Sequence, residues 1–192
     1  MHPPQAPSRA ARIMAAVGNN PSRDPPYHGT AHLYVVTLAA MELAAAERLT
    51  TAETDTALLA ALFHDYDYAE DPDDTVNIAQ AVDAVRFHLG FLDTAPIIAA
   101  IEGTCFPYVP GEPDRIQAVL RDADVLYSTL LFPDAQQFRS GLLIERGAPA
   151  TEQDAIAFIL GHGAQTSSGA SAVTRHIAGV AGRSELPDLP FY

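Results

Sequence analysis

The chain has 192 residues, 48% hydrophobic and 18% charged, enough for one domain with its own core and too apolar for disorder or a fibrous repeat over most of its length. Its 11 basic residues, all arginine, face 24 acidic ones for a net charge of −13, a surface that repels DNA, RNA and anionic lipid. The single cysteine, Cys105, excludes an internal disulfide framework and a Cys-rich zinc site, and the absence of a long uninterrupted apolar run makes the cytoplasm the expected address.

Alanine and leucine recur at helical spacing, while alternating β-branched runs bounded by Asn-Gly or Asp-Gly turns are missing, so the expected fold is all-α and single-domain. Taken in order, a proline-rich lead-in (Pro3, Pro4, Pro7) precedes a short helix from Arg9 to Val17, stopped by Gly18 and Asn19. A loop with Pro21, Pro25 and Pro26 follows. From Gly29 to Leu49, Leu33, Val36, Ala40 and Leu43 mark one long amphipathic helix. Thr50 and Glu53 form a capping box for the next, which carries Leu58, Leu59, Leu62 and Phe63 toward His64 and Asp65 before an acidic loop. Further helices are expected from Asp74 to Leu89, Thr94 to Gly103, Pro113 to Leu131, Pro133 to Arg146, Thr151 to Leu160 and Ser171 to Val180. The Gly/Ser stretch starting at Gly161 reads as a connector, not a phosphate-binding loop, because no strand precedes it. The division is a tail and short helix over 1–20, a helical domain over 21–182 and a C-terminal tail over 183–192, with a homodimer left open as a partner for that tail.

Histidines and carboxylates gather in three places. His28 and His32 are one helical turn apart and can address one cavity, or face solvent at a helix start. His64 and Asp65 end an apolar helix; the C-terminal dipole favours the histidine and disfavours the carboxylate, which asks for a cation or hydrogen bonds as compensation. Asp122 and Asp124 interrupt an apolar helix and cannot face the same way, so one points inward and the other meets solvent or an arginine.

The order His, His-Asp, Asp on successive helices, with Tyr27-His28 and His32, Phe63-His64-Asp65 and Tyr68, and Ala123-Asp124 and Leu126, resembles the HD superfamily of metal-dependent phosphohydrolases over about residues 27–130. The opening and the Asp-Ala-Asp-x-Leu-like element are closest to a group of small bacterial HD phosphohydrolases, with Gly29 where that group has asparagine and Asn77 near the place of its later acidic residue. The resemblance implies an HD-type helical bundle with His32, His64, Asp65 and Asp124 as metal ligands, Asp124 being preferred over Asp122 by the motif frame. It also implies His28 as a general acid, by likeness to cyclic-nucleotide phosphodiesterases; in such a site Asp65 either orients the attacking water or bridges to a second, mostly hydrated ion. A shell of imidazoles and carboxylates suits Mn, Fe, Co, Ni or Zn, with Mg also open, and leaves two positions of a six-coordinate ion for water and substrate. The implied partner is a small phosphorylated substrate, with no nucleic acid polymer and no membrane.

Arg86, Arg115 and Arg121 are the candidates for binding substrate phosphate, and Tyr66, Tyr68 and Tyr127 for stacking or hydrogen bonding, each with a salt-bridge or packing role as the simpler alternative. The loop carboxylates Glu70, Asp71, Asp73 and Asp74 read as a solvated loop and helix cap, with a second hydrated ion as the alternative. Cys105 reads as a small buried apolar residue. Two other functional classes are an HD-fold di-iron oxygenase, for which His88 is the one extra histidine between His64 and Asp124, and a non-catalytic helical module with a vestigial metal site.

Overall fold

A computed structural model describes residues 8–22, 25–108, 111–147 and 151–184, and all regular structure among them is helical. The helices are α1 (Arg9–Gly18), α2 (Thr30–Ala46), α3 (Thr51–Phe63), α4 (Asp74–Leu89), α5 (Ala95–Glu102), α6 (Arg115–Asp122), a π-helical continuation of α6 (Ala123–Leu131), α7 (Ala135–Arg146), α8 (Glu152–His162) and α9 (Ser167–Ser184). The expected tail beyond residue 184 and the lead-in before residue 8 lie outside the described residues.

The centre is α2, which packs chiefly on α3 and on the π segment. Leu33, Val36, Ala40 and Leu43 are buried as their spacing predicts, but Val35, Ala39 and Ala44 are buried too, while Tyr34, Leu38 and Met41 are exposed. The helix is therefore apolar around most of its circumference, not amphipathic. It stops at Ala46, earlier than expected, because Arg48 turns into the left-handed region (φ 56°) and Leu49 donates back to the Ala44 carbonyl at 2.9 Å. The Thr50–Glu53 capping box then starts α3: Glu53 N–H donates to Thr50 Oγ1 at 3.3 Å and Thr50 N–H to Glu53 Oε2 at 2.7 Å. Small residues at the crossing of the two helices, Ala40, Ala57, Ala60 and Ala61, are fully buried and let α2 and α3 approach closely.

The single helix expected from Pro113 to Leu131 differs in two ways. It begins only at Arg115, because Asp114 caps it, accepting from the amides of Ile116 (2.9 Å) and Gln117 (2.8 Å). Past Asp122 it widens into π geometry, where Ser128 and Thr129 return their hydroxyls to the carbonyls of Asp124 and Val125. The Gly/Ser connector is shorter than expected, since α9 starts at Ser167. The hydroxyl of Thr166 caps it by accepting from Gly169 N–H at 2.9 Å. No helix among the described residues is long and apolar enough to cross a membrane.

Candidate metal centre

Three elements bring the site together. Gly29 caps α2 and places His32 in its first turn, where the side chain is fully buried. His64 is the C-cap of α3, and Asp65 follows it into the turn closed by Tyr66 N–H donating to the Phe63 carbonyl. Asp124 enters from the π segment. The Nε2 atoms of His32 and His64 are 3.3 Å apart. Asp65 Oδ2 lies 3.2 Å from the first and 3.0 Å from the second, and Asp124 Oδ1 lies 3.1 and 3.8 Å from them. His32, His64 and Asp124 offer donor atoms all within 4.8 Å of one another, a group that could hold a metal ion.

The donor chemistry fits a cation. His64 Nδ1 lies 2.9 Å from the carbonyl of Ala61, which can only accept, so Nδ1 carries a proton and, in the neutral ring, the Nε2 lone pair faces the cluster. Histidines that bind metals characteristically donate their other ring N–H in this way. A lone pair aimed at carboxylate oxygens is repulsive unless positive charge sits between them. Ligands about 2.1 Å from a common ion would be about 3.0–3.4 Å apart at neighbouring positions, which all the pairwise separations above match except that of Asp124 from His64, longer at 3.8 Å. Asp65 Oδ2 is buried without a hydrogen-bond partner, as is His32 Nδ1.

Electrostatics points the same way. Burial opposes charge on His64, but Asp65 and Asp124 outweigh it and raise its pKa well above the ordinary imidazole value; His32 is raised by the same opposition of burial and carboxylates. Burial likewise opposes ionisation of Asp65 and Asp124. For Asp65 the nearby His64 and His28 prevail, and for Asp124 the hydrogen bonds to His32 and His64 prevail, so both carboxyls are held below their usual range. The pocket of protein around these four groups thus favours positive charge.

A cavity of about 410 Å³ opens beside the cluster, with His28, His64, Asp65 and Asp124 in its lining. His28 stacks on Tyr68 with ring centroids 3.9 Å apart, and its Nδ1 lies 2.5 Å from Glu145 Oε2. Glu145 also accepts from the backbone amides of Tyr27 and His28. Burial opposes its charge, yet the His28 side chain and these amides pull its pKa down, so it stays an acceptor. With Nδ1 engaged, Nε2 is the nitrogen His28 can offer to the cavity.

Glu145 was not legible as a site residue, although a carboxylate beside the C-terminus of α7 carries the same dipole conflict that marks Asp65. Of the two roles open to the three arginines, the structural one is seen. Arg86 pairs with Asp83 at the surface, Arg115 donates to the Glu47 and Arg48 carbonyls at the end of α2, and Arg121 donates to the Gly103 carbonyl at 2.6 Å; none of them lines the cavity. Arg139 and Arg146 of α7 line it instead, with Arg139 donating to the Thr129 carbonyl at 2.7 Å and Arg146 to the Tyr68 hydroxyl. Tyr66 is committed elsewhere, donating to the Ala16 carbonyl at 3.0 Å, and Tyr127, partly buried, packs against the core.

Asp122 lies outside the cluster and pins the start of α9, accepting from the amides of Gln165 and Thr166 and from the Thr166 hydroxyl at 2.6–2.8 Å. Asp73 caps α4, Asp71 accepts from Asp73 N–H, and the buried Asn77 exchanges hydrogen bonds with the Asp71 backbone, all structural duties. Cys105 is only partly buried. His88 lies 3.2 Å from the Tyr66 hydroxyl and not in the cavity. Comparison of the chain with protein-family models, with curated proteins and with solved structures gives no match.

Proposed function

We propose that the chain is a metal-dependent phosphohydrolase of the HD type, in which His32, His64, Asp65 and Asp124 hold a divalent cation and His28 is the general acid. The observation that carries the reading is the convergence of two imidazole Nε2 atoms 3.3 Å apart with two carboxylates, drawn from positions 32, 64, 65 and 124. A divalent ion held there would lower the pKa of water and withdraw charge from a phosphoryl group.

The other duties fall to the chain. Arg139 and Arg146 supply positive potential on the cavity wall of a protein whose net charge is −13, and guanidinium is matched to phosphate oxygens. Asp65 orients water as an acceptor. His28 Nε2 delivers a proton to the departing oxygen, with Glu145 holding Nδ1 and Tyr68 fixing the ring plane. Water gives its oxygen to phosphorus and a proton to the Asp65 carboxylate, the ester P–O bond breaks, and the alcohol leaves with the proton from His28. The substrate is a small phosphorylated molecule, not a nucleic acid polymer. The position of His88 against Tyr66 supports hydrolysis over a histidine-rich di-iron oxygenase.

The test is elemental analysis of the purified chain followed by hydrolysis of phosphomonoesters and phosphodiesters with and without added Mn²⁺ or Zn²⁺. Metal-dependent release of phosphate or of a monoester, abolished by His64→Ala, is the expected result. Two irons with oxygen uptake, or a bound ion with no turnover and no response to His28→Ala, would overturn it.

A further inference from the structure

The cavity beside the cluster is largely apolar, so it offers more than a phosphate needs. Its polar side, with His28 and Arg146, is joined through Tyr68. The same cavity has an aromatic wall. Phe106 lies edge-on to Tyr108 with centroids 5.5 Å apart and meets Phe158 at 5.8 Å. The wall is braced from behind: His162 contacts both Phe106 (5.3 Å) and Phe158 (4.2 Å), and the Arg121 guanidinium sits 4.2 Å over the Tyr108 ring while donating to the Gly103 carbonyl. Phe106 and Phe158 nonetheless remain 42% and 40% exposed. Held rings with open faces in a concave site are what a planar apolar group needs, since its burial there costs little reorganisation.

The charges of the wall limit what else can enter. Asp74 and Asp154 line the same cavity. Asp74 Oδ2 already accepts from Phe106 N–H at 2.8 Å, and Asp154 from the Thr151 hydroxyl. Both oppose a second phosphate, so a nucleoside diphosphate or triphosphate is disfavoured. A sugar lying against the ring faces would lose water from the hydroxyls turned toward them without gaining a partner there.

We propose that the substrate is the phosphate monoester of an apolar, ring-bearing alcohol, with the ring lying against Phe106, Tyr108 and Phe158 and the phosphoryl group at the cluster. This rests on the phosphohydrolase reading. The products are inorganic phosphate and the alcohol, with water as the only co-reactant.

The test uses the full chain loaded with Mn²⁺. 2-Phenylethyl phosphate and ribose 5-phosphate are both esters of primary alcohols, so they differ mainly in the group that would meet the wall. Burying one ring corresponds to roughly 10- to 100-fold, so kcat/KM for the phenylethyl ester is expected to exceed that for ribose 5-phosphate, and that for adenosine monophosphate, by about 10-fold or more. Phe158→Ala, whose side chain is half-exposed, should keep its fold by thermal unfolding and drive the ratio toward one. Calorimetry with 2-phenylethylphosphonate and ethylphosphonate reads the same preference without turnover. Equal affinities, or a preference for the sugar phosphate or the nucleotide, overturn the wall. Turnover of both esters at one rate leaves the phosphohydrolase standing and the wall refuted, whereas selective phosphonate binding with no turnover supports the wall and refutes the hydrolase.

Discussion

At the scale of single residues, His28 and His64 are both histidines in one small volume, yet their partners give them different work. His64 Nδ1 is tied to a backbone carbonyl and its Nε2 to the cluster, whereas His28 Nδ1 is tied to Glu145. His28→Asn should therefore lower kcat by about 10²- to 10⁴-fold while metal content per chain stays constant; His64→Ala should lose both. Rate measurements paired with elemental analysis separate the two. Glu145→Gln tests the support of His28 and carries a pH signature. The folded pKa of Glu145 lies below its ordinary value, so its contribution is complete above the ordinary carboxylate range and is lost as pH falls through the lowered value. The difference in urea-unfolding free energy between the parent and Glu145→Gln should be largest near neutrality and shrink on acidification through that window. A difference that grows in acid would contradict the assignment. Asp122 and Asp124 show where sequence reading stops at this scale. A period of 3.6 says only that they diverge; the motif frame favours Asp124, and the physical reason Asp122 is turned away is its hydrogen bonding to Gln165 and Thr166, more than 40 residues away.

At the scale of elements, helix type and most boundaries were legible because their causes are local: the Thr50–Glu53 box, the Asp73 cap and the stop at Gly90 all act within one turn. The π segment was not, since widening depends on Ser128 and Thr129 choosing carbonyl partners and on packing against α2, α7 and α8. The role of α7 was equally hidden, because Glu145 meets the site through the turn carrying Tyr27 and His28 and Arg146 through Tyr68, partners far from α7 in sequence. Gly141 makes that approach feasible. A Cβ there would stand 2.2 Å from the Pro26 carbonyl oxygen and 2.6 Å from its carbon, both backbone atoms that cannot swing aside. Gly141→Ala should cost about 1–3 kcal/mol and, by shifting the turn that carries His28, lower activity as well. Gly161→Ala in α8, where a Cβ meets nothing within 4 Å, is the control: helix propensity predicts stabilisation by up to about 1 kcal/mol. Urea midpoints of the two variants should move in opposite directions.

At the scale of the whole molecule, the candidate centre ties the consecutive helices α2 and α3 to the π segment, which lies three helices further along the chain and otherwise meets them largely through apolar contacts. An ion that binds only where all three are assembled must stabilise the assembly by mass action, by about 4 kcal/mol at 1,000 times its dissociation constant. Thermal unfolding of the chain should thus rise on addition of Mn²⁺ or Zn²⁺ and fall back with a chelator, and His64→Ala should abolish the rise. The pH dependence gives the site its own sign. Without metal, the raised pKa of His64 means that its protonated form stabilises the fold at low pH, and that this contribution is lost as pH rises through the folded value. Metal needs the same nitrogen unprotonated, so its stabilisation grows over the pH range in which the proton's contribution disappears. The metal-induced shift in melting temperature should accordingly be small in acid and increase toward and above neutrality. A shift that is independent of pH, or that survives in His64→Ala, would place the ion elsewhere on this acidic surface and separate metal binding from the four converging side chains.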